Sequence, residues 1–182
     1  MRRRRRDPLV NGEDAPAMPA APLPFTPSMW TSVDPAGNGS SKPSVACVWR
    51  GVEAVSFTIV WSRRDGWWHN LGEPLVVAVE SGFVGKGKTA SLMLERERGK
   101  FEMFAQIVGA EHCDVHPSAW KAVVGIPNAN PDRPMAMLCE RLVRQLPGGT
   151  MPRVPLAAKA SNKDKRAALL IGLACVNAWG WR

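Results

Sequence analysis

The sequence predicts an α/β chain with a mixed sheet, and three observations carry that expectation. Three β-type segments come first, rich in Val and aromatic residues and separated by clusters of Gly, Pro, Asn and Ser, as an antiparallel meander requires. A fourth strand candidate, residues 74–80, is apolar almost throughout, the pattern of a strand buried on both faces at the centre of a sheet. Helical patterns then alternate with a short strand to the end of the chain, which adds parallel strands and flanking helices to the meander.

Taken in order, residues 1–28 hold five consecutive arginines, Arg2 to Arg6, followed by a stretch dominated by Pro and Ala with no apolar periodicity. This reads as a disordered basic arm. It lacks the apolar core of a secretory signal, and Glu13 and Asp14 argue against a transit peptide. Met1, Met18 and Met29 are each candidate starts. The meander occupies 28–33, 44–49 and 55–61. After the buried strand, a long helix is expected over about 89–110, with Leu92, Leu94, Phe101, Phe104, Ile107 and Val108 as its apolar stripe. Gly99 inside it costs about 1 kcal/mol against Ala, which predicts close packing or a kink there. A short strand near 113–116, a short helix after Pro117, and helices over about 133–145 and 163–178 complete the chain. The domain expected to carry function is 29–182.

The chain has 182 residues, 45% of them hydrophobic, and no apolar run near membrane-spanning length. A transmembrane class is thereby excluded, and one soluble domain with a tail is expected. Of the net charge of +8, the arm supplies +2 (Arg2 to Arg6 against Asp7, Glu13 and Asp14), so the rest of the chain is itself basic. A polyanion partner is the physical expectation. Cys47, Cys113, Cys139 and Cys175 lie far apart without CxxC spacing, which favours a reducing, cytoplasmic setting over a zinc ribbon or a disulfide scaffold.

Residues 82–89, GFVGKGKT, match the phosphate-binding loop pattern GxxxxGK[ST] and stand between a strand and a helix. Three features oppose a nucleotide site. No later strand ends in an Asp to hold Mg²⁺. The remaining chain supplies too few parallel strands. Glu80, at the end of the preceding strand, would repel a phosphate.

The carboxylates offer another grouping. Asp34 closes the first strand, Glu80 closes the buried strand and Asp164 opens the last helix. If the two strands are neighbours and the helix packs beside them, three hard oxygen ligands converge at one sheet edge, which is what Mg²⁺ binds and what two such ions need to clamp a phosphodiester.

The residues Val33-Asp34-Pro35 with Gly37, the run 77–86 with the helix 89–99, the segment 115–125 and the run 164–174 occur in the order and approximate spacing of a known family. Through them the chain resembles the RuvC family of Holliday junction resolvases, nucleases of the ribonuclease H-like fold, over about 29–179. The resemblance implies a ribonuclease H-like mixed sheet flanked by helices, and a structure-specific endonuclease that resolves four-way junctions by two-metal-ion hydrolysis, leaving 5′-phosphate and 3′-hydroxyl ends. It implies Asp34, Glu80 and Asp164 as catalytic Mg²⁺ ligands, with Mn²⁺ as a possible substitute, and a homodimer acting on branched DNA. Phe83 matches the aromatic residue placed at the junction centre, and Lys121 a basic position near the scissile phosphate. Lys86 and Lys88 fall where the family has lysines that approach the junction.

Two departures stand out. The family has a further carboxylate three residues after the first acid of the last helix, and here that position is Ala167. Asp164 then fills the later role, or the site works with three carboxylates, or activity is weak. A helix between the third and fourth strands is also reduced. The alternatives are therefore a catalytically weakened junction-binding protein on the same fold and, from the phosphate-loop pattern, a nucleotide-binding protein. Simpler readings exist for single residues. Asp164 suits a helix start, Phe83 suits a core, and His112 and His116 suit edge or surface positions. Trp61, Trp67 and Trp68 suit either base stacking or an apolar contact, and Arg2 to Arg6 either a DNA tether or a solubilising tail.

Overall fold

A computed structural model describes residues 16–35, 42–60, 67–81, 88–145 and 162–182. The described strands are β1 (Trp30–Asp34), β2 (Ser44–Arg50), β3 (Glu53–Val60), β4 (Val76–Glu80) and β5 (Glu111–Val115), and the helices are α1 (Lys88–Val108), α2 (Pro117–Val123), α3 (Asp132–Gln145) and α4 (Asn162–Trp179). They form one sheet in the order β3-β2-β1-β4-β5. β1, β2 and β3 are antiparallel, whereas β1, β4 and β5 run parallel. The mixed α/β sheet expected from the sequence is the one observed.

β4 lies inside the sheet with Val76 to Val79 fully buried, which accounts for its unbroken apolar run. Successive side chains of a strand point to opposite faces. Val33, Ala46, Val77 and Val79 therefore meet Phe101, Phe104 and Ala105 of α1 on one side. Trp30, Val45, Cys47, Val76 and Ala78 meet the layer of α2, α3 and α4 on the other. Gly99 has nothing within 4 Å of where a Cβ would stand, and α1 runs through it without a break. The close packing expected there is absent, because the residue faces open space. Between β3 and β4 the described residues hold a 3₁₀ turn, Trp67–Leu71, where the family-like helix is reduced.

Residues 16–28 depart from the expectation of a disordered arm; residues 1–15, with Arg2 to Arg6, lie outside the described residues. The segment runs over the end of α4. Trp179 Nε1 donates to the Pro19 carbonyl at 2.8 Å, and Thr26 Oγ1 both accepts from Arg182 N at 2.9 Å and donates to its carbonyl at 3.0 Å. Met18 and Leu23 pack on the core and Pro27 is buried. Beneath this strap is a cluster of indoles. Trp30 stacks on Trp49 at 5.0 Å and meets Trp181 edge-on at 5.0 Å, and Trp179 lies 4.7 Å from Trp181. Such ring pairs add to the area they bury. A chain beginning at Met29 loses the strap's hydrogen bonds, each worth about 1 kcal/mol net, together with its apolar cover. It should unfold roughly 5–10 °C lower in a thermal melt; an unchanged Tm would show that the strap does not support the fold.

All four cysteines are buried and free. Burial pushes the Cys113 thiol up to about 12, aided by Asp114, and the Cys139 thiol up to about 11. It pushes Cys47 and Cys175 well up. The thiolate is the reactive form, so Ellman's reagent at pH 8 should label the native protein slowly and all four thiols promptly in denaturant. Rapid native labelling would contradict this packing. Among the described residues no helix is long and apolar enough to cross a membrane.

Candidate functional site

Two parallel strands end in acids. The register pairs Thr31 with Val77, Ser32 with Ala78 and Val33 with Val79, so the next residues, Asp34 and Glu80, are neighbours at the carboxyl ends of β1 and β4. Strand alternation turns both to the face on which α4 lies. Helix α4 is pinned there by a buried chain of hydrogen bonds. Trp49 Nε1 donates to Ser32 Oγ at 2.8 Å, and Ser32 Oγ donates to the Ala168 carbonyl at 2.7 Å. Asp164 stands about one helical turn before Ala168, which brings its charge to bear on Asp34, two residues after Ser32.

The electrostatics follow from that crowding. Burial pushes the Asp34 carboxyl well above its ordinary range; the charges of Glu80 and Asp164 push it further, and a hydrogen bond joins its side chain to Glu80. Lys163 pulls the other way, and this lysine also bridges Asp132 at 2.8 Å. Burial raises Glu80 as well. Its opponents are the hydrogen bond from Trp120 Nε1 at 3.1 Å, the charge of Lys121, the bond with Asp34, and His116. Desolvation is the first cause of both shifts, and the proximity of the two carboxyls adds to it at Asp34, where Lys163 offsets it only in part.

Two residues at this corner were not marked as functional by the sequence. His116 follows β5 and caps α2: the Ser118 N–H donates to its Nδ1 at 3.3 Å, and the Ser118 hydroxyl lies 2.7 Å from the same nitrogen. His116 thus stands just after the edge strand, as expected for it, half-buried and near enough to Glu80 to influence it. Trp120, on α2, reaches Glu80 directly. A signal existed for it, since a Trp in an amphipathic core segment needs a partner for its indole N–H. Lys121 lies with Nζ 5.4 Å from the centroid of the Trp120 ring. Trp61, Phe83 and Lys86 lie outside the described residues, and Lys88 is the first residue of α1. Ala167 is 8% exposed and belongs to the apolar cluster under α4, so the position of the missing fourth carboxylate is core here.

The phosphate-loop reading meets the topology at β5. This later parallel strand ends in Val115, and Asp114 accepts two hydrogen bonds, 3.0 and 2.9 Å, from the Arg98 guanidinium of α1. Val115 is apolar and Asp114 is engaged by Arg98, so this strand does not end in a free acid. Among the described residues no group of three or more His, Cys, Asp and Glu side chains forms a ready-made metal site. The donor chemistry of the Asp34, Glu80 and Asp164 corner nonetheless suits a divalent cation. All three are hard oxygen donors, and they carry an excess of negative charge that the protein relieves only in part.

The meander with parallel strands added beyond β1, and helices on both faces, is the ribonuclease H-like class of fold. Similar to it among solved structures is Thermus thermophilus RuvC in complex with Holliday junction substrate, with a TM-score of 0.51 and 16% identity over 80% of this chain and 90% of that one. A second, described as the Thermus thermophilus RuvC structure, has a TM-score of 0.48 and 16% identity over 80% and 92%. The fold of this chain is RuvC-like. No protein-family model and no curated protein matches the sequence.

Proposed function

We propose that the protein is a Mg²⁺-dependent, structure-specific endonuclease that cuts four-way DNA junctions in the cytoplasm. The observation that carries this reading is the adjacency of Asp34 and Glu80 at the carboxyl ends of two parallel strands, with the charge of Asp164 on α4 bearing on Asp34, in a basic, RuvC-like domain. These three residues would hold the cation, with Mn²⁺ able to replace Mg²⁺. When bound, the cation supplies a water made acidic enough to attack at neutral pH and neutralises charge developing on the phosphate. The chain's own residues do the rest. Asp34 and Glu80 would act in their ionised forms, and Lys121, whose charge acts on Glu80, would attract a phosphate oxygen. Water attacks phosphorus in line, the bond from phosphorus to the 3′ oxygen breaks, and that oxygen takes a proton. The products are a 5′-phosphate and a 3′-hydroxyl.

A homodimer would place two such sites on one symmetric junction. Support comes from α1, where Leu92, Met93, Met103 and Ile107 are 40–70% exposed on a helix whose other side is core, an apolar face of the kind that marks association. Phe83 and Lys86, which fall between β4 and α1 in the sequence, and Lys88, which opens α1, are close in sequence to Glu80 and belong to the DNA-contacting set of this reading.

One observation favours a second reading, a branched-DNA-binding protein with weakened catalysis: Ala167 is core, leaving three carboxylates. Purified protein with a synthetic four-way junction and Mg²⁺ separates the two. Paired nicks with 5′-phosphate ends support the nuclease. Tight, salt-sensitive binding with no product under Mg²⁺ or Mn²⁺ supports the binding protein.

A further inference from the structure

We propose that Trp120 is a positioning residue that holds two groups of the site at once, Glu80 through its indole N–H and Lys121 through its ring face. The inference rests on the reading of Asp34 and Glu80 as cation ligands. Trp120 is 1% exposed, and the single polar atom of its side chain is the donor to Glu80 Oε1 at 3.1 Å. The side chain has no freedom to spare. It is packed in the core under α4 with Ile126, Met135 and Ala167. Its backbone is tied into α2, its N–H donating to the His116 carbonyl at 3.2 Å and its own carbonyl accepting from Val124 at 3.2 Å. Val115 is the register partner of Glu80, so the turn at His116 carries α2 over that carboxylate.

An indole locked in this way fixes one carboxylate oxygen while Glu80 still faces Asp34, its partner in holding a cation, without the loss of side-chain freedom that a longer donor would suffer on binding. The same ring offers its negative face to Lys121 Nζ, 5.4 Å from the centroid. A carboxylate meant for a cation and an ammonium meant for a phosphate are thereby kept apart. Left free, Lys121 would pair with Glu80 and block both.

The two contacts are separable. In Mn²⁺ titrations of the full-length protein without DNA, Trp120→Phe keeps the ring and loses the N–H, and should weaken Mn²⁺ binding about tenfold or more. Junction binding in EDTA should be unchanged. Lys121→Met should leave Mn²⁺ affinity undiminished and lower the slope of log affinity against log salt for the junction by about 1. Trp120→Leu should show both defects. Replacing Trp120 with benzothienylalanine, which carries sulfur in place of the N–H at nearly the same shape, should reproduce the Trp120→Phe result if that variant folds poorly. Wild-type Mn²⁺ affinity in both Trp120→Phe and the benzothienyl protein would overturn the proposal, provided Asp34→Asn abolishes Mn²⁺ binding. If Asp34→Asn binds Mn²⁺ like wild type, the cation site itself is misassigned. An unchanged salt slope in Trp120→Leu would remove the role of the ring face.

Discussion

Asp34→Asn is expected to raise the thermal stability of the protein in EDTA while removing Mg²⁺-dependent cleavage. Both effects come from one cause. Asp34 is held among Glu80 and Asp164, and burial together with their charges opposes its ionisation. An asparagine side chain cannot ionise, and its NH₂ group can still donate to Glu80, so the substitution keeps the hydrogen bond and discards the repulsion. A gain of about 1–2 kcal/mol is in line with relieving a functional strain of this kind, a Tm rise of roughly 4 °C at this chain length. The sign with pH follows from the raised acidity. A group whose folded value lies above its ordinary 3.8 stabilises the fold while protonated, and that support is lost as pH rises through the folded value. Wild type and the Asp34→Asn variant should therefore melt alike near pH 3 and diverge as pH rises. Cleavage should fall on the order of 10³-fold, the loss of several kcal/mol of cation-dependent stabilisation at about 1.4 kcal/mol per decade, with junction binding retained. Glu80→Gln should likewise bind without cutting. A variant that cuts at the wild-type rate would remove Asp34 from the site, and one that melts lower in EDTA would contradict the crowding described above.

The second large effect is expected at Gly172. On α4 this glycine faces the Trp49 indole so closely that a Cβ would overlap the ring. The helix cannot retreat without breaking the buried bonds from Trp49 to Ser32 and from Ser32 to Ala168. Trp49 cannot retreat either, because Trp30 is stacked on it. Gly172→Ala would gain about 1 kcal/mol of helix propensity and still lose on balance. Gly172→Val adds two methyl groups to the same overlap and should cost about 4 kcal/mol, at the upper end for overpacking. The consequence for function is specific. Asp164 stands two turns earlier on the same helix, so displacing α4 moves this acid away from Asp34. Chemical denaturation should show the stability loss, and Mn²⁺ titration of any folded variant the loss of affinity. If Gly172→Val is as stable as wild type, the close approach of α4 to Trp49 is not a feature of the native protein.

Much of the fold was legible because its elements declare themselves locally. Val76 to Val79 could only be an interior strand, and the meander follows from the turn residues between β-rich segments. Asp34 and Glu80 were readable as strand-ending acids, and Asp164 as a helix-opening one. Other features were not local. Residues 16–28 carry the composition of a disordered segment, yet they are ordered by the end of α4, more than 150 residues away in sequence. Gly99 looked like a packing site and faces open space, whereas Gly172, unmarked in the sequence, makes the tightest approach among the described glycines. A glycine's own neighbours in the chain do not say what stands opposite it.

The amino-acid sequence by itself determined the order and type of the elements, the basic charge of the domain, and which acids end or begin them. Those properties depend on periodicity, turn chemistry and composition, all of which act over a few residues. The tertiary structure alone decided that β1 and β4 lie side by side in register, that α4 crosses them with Asp164 toward Asp34, and that Trp120 stands between Glu80 and Lys121. Apart from the adjacent Trp120 and Lys121, these contacts join segments far apart in the chain. They are set by which apolar faces can be buried against each other, and no local pattern encodes that choice.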